Sequence, residues 1–316
     1  MKKNYNIIFE ESPIDIIDVK GELPADCLYP LHSSDEAKLY QFTAANLLRQ
    51  GANFEHYQID CFELNSKKPF KIRYELYERR VFITFVVHND IHFTTGTENT
   101  MLVAKELTHY ISSEQKGIYG VNCSAGITVL VVIAVQPEWL VKAISGYPIL
   151  TEAVRHMLET DSAFEILPDF AIDKQIRDWI FSVRNFRHEN PVARDSFTAT
   201  HIAMGLGNYE MLLAKSDNGK IYQIKLYIEQ HFANPQLDLS ELVSRFGFTK
   251  RTAVRKFKKI YGMSMRTFKT HVRITTAYTI LKKEGISVAQ VIERVGYNNI
   301  NSFHKAARKF LNGKKS

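Results

Sequence analysis

One pattern is written twice in this chain, 49 residues apart. The first copy is Asp238-Leu-Ser-Glu241, followed by Leu242, Val243, Phe246, Gly247 and Phe248. The second is Ser287-Val-Ala-Gln290, followed by Val291, Ile292, Val295, Gly296 and Tyr297. Each opens with a short polar side chain and places Glu or Gln three residues later, the spacing of a capping box. A short apolar stripe at helical spacing follows. It stops at Gly, which takes the left-handed conformation at a helix end at little cost. After an aromatic comes a polar residue, Thr249 or Asn298, able to cap a second helix, and then a basic helical stretch. Helix, short turn and second helix make a helix-turn-helix, whose second helix enters the DNA major groove. A single short capped helix occurs in any all-α protein; two copies at one offset do not arise so easily.

The charge distribution agrees. Residues 215–316 carry 21 Lys and Arg against 6 Asp and Glu, a balance of +15, whereas residues 1–214 carry 20 against 28, a balance of −8. A basic third joined to an acidic remainder points to a polyanion partner for the basic part. The chain of 316 residues has room for two domains or more. Its longest apolar run, Ile127 to Val135, is far short of a membrane span. Lys2 and Lys3 precede no apolar segment, so no signal peptide is expected. Cys27, Cys61 and Cys123 are widely spaced and predict free thiols in a reduced, cytoplasmic protein.

Taken in order, residues 35–49 suggest a helix and the rest of 1–55 is unassigned. From Glu55 to Val135 the chain predicts strands: Tyr57–Leu64 and Phe70–Tyr77 alternate with period two, while Val81–Val87 and Ile127–Val135 are denser and more buried. Gly96, Lys116-Gly117 and Ser124-Ala-Gly126 mark turns. This spacing suggests an antiparallel sandwich or barrel. Helices are expected from Pro137, over Ile149–Glu159, over Asp173–Arg187 and over 193–214, the last interrupted by Gly205 and Gly207. The apolar stripes of the last two helices suit a core or a dimer seam equally. Ser216-Asp-Asn-Gly219 suggests a linker. A helix around Ile221–Phe232, a first helix-turn-helix over 239–261, a long helix over 265–283 and a second helix-turn-helix from Ser287 follow.

With these elements placed, residues 220–313 resemble the DNA-binding domain of the AraC/XylS family of bacterial transcription regulators. The match runs through Leu242, Gly247-Phe248-Thr249, Arg255-Lys-Phe257-Lys258, Gly262-Met-Ser264, Phe268, Arg273, Ala277 and Leu281, then Val288, Ile292, Val295-Gly296-Tyr297, Ser302, Phe303 and Lys305. The N-terminal two-thirds resembles, more weakly, cupin-like sensing and dimerisation domains, and Thr108–Leu140 is similar to a stretch found in regulators of iron-siderophore uptake. The resemblance implies an α+β multidomain chain. Residues 1–150 would form a β-rich, cupin-like (jelly-roll-type) sensing domain and 151–214 a helical dimerisation segment. Residues 215–219 would be a linker and 220–316 an all-α domain with two helix-turn-helix units.

The same resemblance maps a first recognition helix onto Lys250–Lys259, with Lys250, Arg251, Thr252, Val254 and Arg255 toward the groove and Lys258 toward phosphate. Arginine can bond guanine O6 and N7 together, and valine offers only an apolar contact, for example to a thymine methyl. Salt bridging inside the domain is the rival role for Arg255. The second recognition helix maps onto Asn299–Leu311, with Ile300, Asn301, His304 and Lys305 outward and one extra residue in its turn. Here the chain departs from the family pattern. Ala307 stands where an aromatic is expected, and Asn312 replaces the glycine that Gly262 supplies. A lost core ring costs about 3–5 kcal/mol if nothing refills the space, so this copy is expected to be marginal, mainly phosphate-binding, or ordered only on DNA. A long helix between the copies would hold the two recognition helices in adjacent major grooves, about 34 Å apart.

Two other classes of function compete with this reading. His88-x-x-x-His92 mimics a metal pair only on a helix, and it lies between strand-like runs; His109-Tyr110 and Cys123-Ser124 lack a base or orienting partner; no phosphate-cradling Gly loop is present. No enzyme, metal or cofactor is therefore expected. The second alternative is a non-sequence-specific or partner-dependent co-regulator with a degenerate second helix-turn-helix. The expected partners are double-stranded DNA, a second copy of the chain, RNA polymerase and a small-molecule effector, with activation the family's habit and no membrane.

Overall fold

The computed structural model describes residues 5–95 and 100–312, the side chains of 311 and 312 excepted. The turn expected at Gly96 lies outside them. The chain divides after Leu212 into two compact units.

The first unit is built on two antiparallel sheets. One contains β1 (Asn6–Phe9), β6 (Phe70–Leu76), β11 (Gly117–Cys123), β8 (Ile91–Thr95) and β9 (Thr100–Ala104), in that order. The other runs β13 (Phe164–Ile166), β10 (Thr108–Glu114), β7 (Arg80–His88), β12 (Gly126–Val135), β5 (Tyr57–Ser66), β4 (Ala45–Asn53), β3 (Glu36–Gln41) and β2 (Asp15–Asp18), with β14 (Phe170–Ala171) added to β10. Side chains of both sheets share one core, including Leu47, Leu64, Phe70, Val86, Phe93 and Val121. This is the antiparallel sandwich that the strand spacing suggests. Residues 35–49 are a correction: they form β3 and β4, not a helix. β4 is paired on both edges and nearly every residue in it is buried, Arg49 and Gln50 included. A strand hidden on both faces shows no alternation, and its mixed pattern is easily read as an amphipathic helix.

Helices α1 (Pro137–Ala143), α2 (Pro148–Glu159), α3 (Lys174–Asn185) and α4 (Pro191–Lys215) follow the sheets. Ile176 and Trp179 of α3 and Ile202 and Leu206 of α4 meet Ile83, Phe85, His109 and Ile111 of the larger sheet. Strands β7 and β10 thus have the other sheet on one face and helices on the other, which explains the dense apolar run Val81–Val87. The stripes of α3 and α4 are therefore used within this unit, while Phe181, Val192, Met204 and Met211 point outward and are exposed. Helix α4 is not interrupted at its two glycines. A Cβ at Gly205 would lie 3.3 Å from the Trp179 ring and one at Gly207 would lie 2.8 Å from the Tyr147 hydroxyl, so both serve close packing.

Among the described residues of this unit, one histidine and one acid are buried without a charged partner at hydrogen-bond distance. His109 lies flat against Phe85 with ring centroids 5.6 Å apart, and burial pushes its pKa down to about 4. Glu114 accepts from the Tyr74 hydroxyl at 2.7 Å and from the Ser112 hydroxyl at 3.3 Å, and burial pushes its pKa up to about 7.

The second unit is all-α. It comprises α5 (Asp217–His231), α6 (Leu239–Arg245), α7 (Lys250–Tyr261), α8 (Met265–Glu284), α9 (Val288–Arg294) and α10 (Ile300–Asn312). The expected linker is a correction, since residues 217–219 open α5 and Ser216 caps it by accepting from the Gly219 amide. Ser-Asp-Asn-Gly is cap chemistry as much as turn chemistry. The unit has two cores. Ile221, Ile224, Leu242, Val243, Phe257 and Met265 make one, and Ile274, Ala277, Val291, Val295, Phe303 and Ala307 make the other. The capping box is complete only in the second copy, where Ser287 and Gln290 satisfy each other's amides; Asp238 accepts one residue earlier, from Ser240. Gly247 and Gly296 both have positive φ, 75° and 78°. Their surroundings differ. Nothing lies within 4 Å of a Cβ built at Gly247, whereas one at Gly296 would stand 2.0 Å from the Ala233 carbonyl oxygen.

Gly247→Ala is therefore expected to cost only the left-handed strain, about 1–2 kcal/mol, while Gly296→Ala displaces backbone and costs several-fold more; urea denaturation of the two variants compares matched turns directly. A second expectation concerns pH. His109, with its folded pKa below the usual 6.5, contributes stability above pH 6.5 that is lost as pH falls toward 4. Glu114, with its folded pKa above the usual 4.5, contributes stability below pH 4.5 that is lost as pH rises toward 7. In the shared window the two slopes oppose each other, each at most about 1.4 kcal/mol per pH unit. Relative to the unsubstituted protein, His109→Leu should lose stability as pH rises through that window and Glu114→Gln should gain it, read from urea midpoints of the sheet circular dichroism signal.

Candidate nucleic-acid interface

Helix α7 begins at Thr249, whose hydroxyl oxygen accepts from the Thr252 amide, and ends at Gly262 in the left-handed conformation. One face is core, with Ala253 and Phe257 fully buried. Lys250, Arg251, Val254, Arg255 and Lys258 lie on the opposite face and are exposed. Their spacing of one and four residues keeps them in one stripe along the helix. Five of the sequence-predicted contact residues therefore come together on a single surface.

The sixth, Thr252, does not share that freedom. It is half-buried, and its hydroxyl oxygen accepts from the Thr249 hydroxyl at 2.9 Å, so its side chain belongs to the cap. Lys256 is drawn away from the face by an ion pair with Asp217 of α5 at 2.7 Å. Arg255 makes no ion pair among the described residues, nor do Arg251 and Lys258, so the salt-bridge alternative for Arg255 has no carboxylate partner. By contrast Arg245 at the end of α6 bonds Glu241, and Arg294 at the end of α9 bonds Glu284, each at 2.6 Å. The helices that precede the recognition helices carry paired arginines; the recognition helices carry unpaired ones.

Helix α10 repeats the arrangement one residue later than the 49-residue offset. Its cap is Asn299, whose side-chain oxygen accepts from the Ser302 amide at 2.8 Å; the expected cap, Asn298, is not used. Ile300, Asn301, His304 and Lys305 are all exposed on the face opposite Phe303 and Ala307. Adding 50 to each of the five stripe positions of α7 gives these four and a fifth, Arg308, which is also exposed and without an ion pair among the described residues. Sequence reasoning missed Arg308, although the internal repeat could have supplied it as the counterpart of Lys258.

The missing ring at Ala307 is also explained by the repeat. The first helix buries Ala253 and Phe257; the second buries Phe303 and Ala307. Small and large residues have exchanged places one turn apart. Phe303 packs edge-on to Tyr297 with centroids 5.5 Å apart, and Phe310 packs edge-on to His271 at 4.8 Å. The second core is thus filled from neighbouring positions, and α10 is a regular helix from Ile300 to Asn312.

His88 and His92, the metal-pair alternative, stand on different strands, and His88 bonds Glu106 instead. No group of three or more metal-ligating side chains occurs among the described residues, and no helix among them is long and apolar enough to cross a membrane.

Comparison with known proteins supports the same part of the chain. Residues 242–313 match the family model described as a helix-turn-helix domain. Over 98 residues, 31% of this chain, the sequence is 24% identical to the HTH-type transcriptional regulator ExsA of Pseudomonas aeruginosa, and the match spans 35% of that relative's length. Among solved structures, ToxT from Vibrio cholerae covers 80% of this chain and 94% of its own at 11% identity and a TM-score of 0.31. The AraC-like transcriptional activator CuxR covers 79% and 85% at 9% identity, also with a TM-score of 0.31. Scores this low establish no shared overall arrangement. The C-terminal unit of this chain is a double helix-turn-helix domain of the AraC type, joined to a sheet-rich N-terminal unit.

Proposed function

We propose that this protein is a sequence-specific DNA-binding transcription regulator. The observation that carries the reading is the pair of matched faces, Lys250, Arg251, Val254, Arg255 and Lys258 on one recognition helix and Ile300, Asn301, His304, Lys305 and Arg308 on the other. Each mixes residues suited to bases with cations suited to phosphate. Arg251 and Arg255 fit guanine and Asn301 fits adenine; Val254 and Ile300 fit thymine methyls; Lys258 and Arg308 fit the backbone. A filled second core supports base reading by both helices and removes the motive for a degenerate co-regulator.

The N-terminal unit is read as a cupin-like sensor that binds a small molecule and pairs two copies. The exposed Phe181, Met204 and Met211 on the outward side of α3 and α4 support a homodimer contact there. Activation through RNA polymerase is the regulatory sense we favour.

Selection of full-length protein against a random duplex pool should enrich a motif with two elements about ten base pairs apart; a single short element would remove the second helix as a reader. On the selected site, Arg255→Ala should weaken binding by about 1–3 kcal/mol with the fold intact. Lys256→Ala should leave it nearly unchanged. Affinity should fall steeply with salt. A fragment of residues 213–316 should sediment as a monomer under conditions in which the full chain is a dimer.

A further inference from the structure

The core of the first unit holds a cavity of about 80 Å³ between the two sheets. Five rings line it, those of Tyr5, Phe62, Tyr74, Phe82 and Phe93, with aliphatic side chains between them. One carboxyl group reaches it, that of Glu114. No Lys, Arg or His lines it among the described residues. Arg80, the cross-strand neighbour of Glu114 on β7, pairs with Glu78 instead. The titratable groups facing Glu114 are Tyr74 of β6, Tyr110 of β10 itself and Tyr119 of β11, and none brings a positive charge. The only other buried acid near the lining among the described residues, Asp60, is already held by Arg49 at 2.8 Å and by the Tyr5 hydroxyl.

An acid walled by rings and paired with no cation among the described residues has one natural complement. A carboxylate ligand would set two acids against each other in a medium that does not screen charge, so that one stays protonated and the other keeps its charge with no cation beside it. A sugar would bring several hydroxyls to a wall whose polar groups are mostly engaged, since the Tyr5 and Tyr74 hydroxyls already donate to Asp60 and Glu114 and unmatched polar groups are costly to bury. An ammonium group satisfies the carboxylate and is attracted by ring faces. We propose that this cavity is a binding site for a small apolar amine, whose ammonium pairs with Glu114 while its hydrocarbon part fills the ring-lined space. The cavity is smaller than the roughly 150 Å³ in which an engineered core cavity holds benzene, so the fitting ligand has a hydrocarbon part of about four or five carbons. In the regulator reading, on which only its role as signal rests, this amine is the effector. Tyr74 and Ser112 hold the Glu114 carboxyl in place and act as positioning residues.

The test uses full-length protein and three ligands that share one branched chain, namely isobutylamine, isobutanol and isovalerate, in titration calorimetry without DNA. Isobutylamine should bind at least tenfold more tightly than isobutanol, and isovalerate should give no binding heat. Because binding fixes Glu114 in its ionised form, the amine's enthalpy near pH 7 should vary with the ionisation enthalpy of the buffer, reporting proton release. Glu114→Gln should weaken the amine at least tenfold, abolish that buffer dependence and leave isobutanol unchanged. Its melting temperature, compared with the parent, shows that the variant is folded. Equal or tighter binding of isovalerate or isobutanol, an amine affinity indifferent to Glu114→Gln, or no binding of any of the three would overturn the proposal. Duplex selection on the same sample, run without amine, separates the two readings: a protein that binds the amine and no DNA keeps the site and loses the regulator, and the reverse result does the opposite.

Discussion

Two recognition helices can read one stretch of DNA together only if something fixes the angle between them, and in the C-terminal unit much of that task falls to Arg273. It sits in α8, the long helix between the two cores. Its Nε donates to the Phe232 carbonyl at 2.7 Å and its Nη2 to the Asn234 carbonyl at 3.3 Å, while the guanidinium lies over the Tyr297 ring, 5.3 Å from its centroid. Those partners come from the end of α5, which belongs to the first core, and from the turn of the second helix-turn-helix. Lys269 reaches the same Asn234 carbonyl at 2.9 Å. The close approach of Gly296 to Ala233 is made at the same joint. A planar, charged group with several donors in fixed directions is suited to holding three segments at once, and a lysine is not. Partial burial lowers the pKa of Arg273 without discharging it.

Around that joint, the repeated units solve one packing problem in two ways. Each recognition helix needs one ring and one small residue facing its core, and the order is reversed between copies. Each also needs its outward face free of internal partners. The carboxylates of the unit are accordingly spent elsewhere, on Arg245, Arg294 and Lys256, leaving the arginines of the faces uncommitted. With only 6 acidic residues against 21 basic ones in residues 215–316, the few acids decide which cations can meet phosphate.

Much of this was legible in the sequence because it is local. Most caps, the helix spans, the two turns and most of the outward faces of α7 and α10 follow from spacing within a few residues, although the cap of α10 falls on Asn299 rather than Asn298 and Arg308 was missed. Three things were not legible. The helical reading of 35–49 failed because β4 is covered on both faces, which erases the period that distinguishes strand from helix. The linker reading of 216–219 failed because turn and cap draw on the same residue types. The doubt over Ala307 arose from comparing positions one at a time, when the relevant quantity is the summed volume of Phe303 and Ala307. Arg273 was visible as part of a family pattern, but its three partners are distant in sequence and no local signal announces them.

The first unit treats buried charge in two contrasting ways. Arg49 and Asp60 are both almost inaccessible, and they are joined to Glu36 and Gln58 in a network that offers each charge a partner. Such a network tolerates burial because each charge has an opposite charge or a hydrogen bond within reach. Glu114, equally buried, has two hydroxyl donors and no cation. A carboxyl left in that state is held neutral by its surroundings up to about pH 7, and its burial is an avoidable cost to folding, since Leu or Gln would fill the position without it. Its next neighbours along the inner face of β10, Ser112 and Tyr110, are polar as well, and they line the same side of the strand that elsewhere supplies core. A sheet assembled only for stability has no need of an acid, a serine and a tyrosine in succession on its inner face. Their arrangement beside open space lined by rings is what a binding site requires and what a core does not.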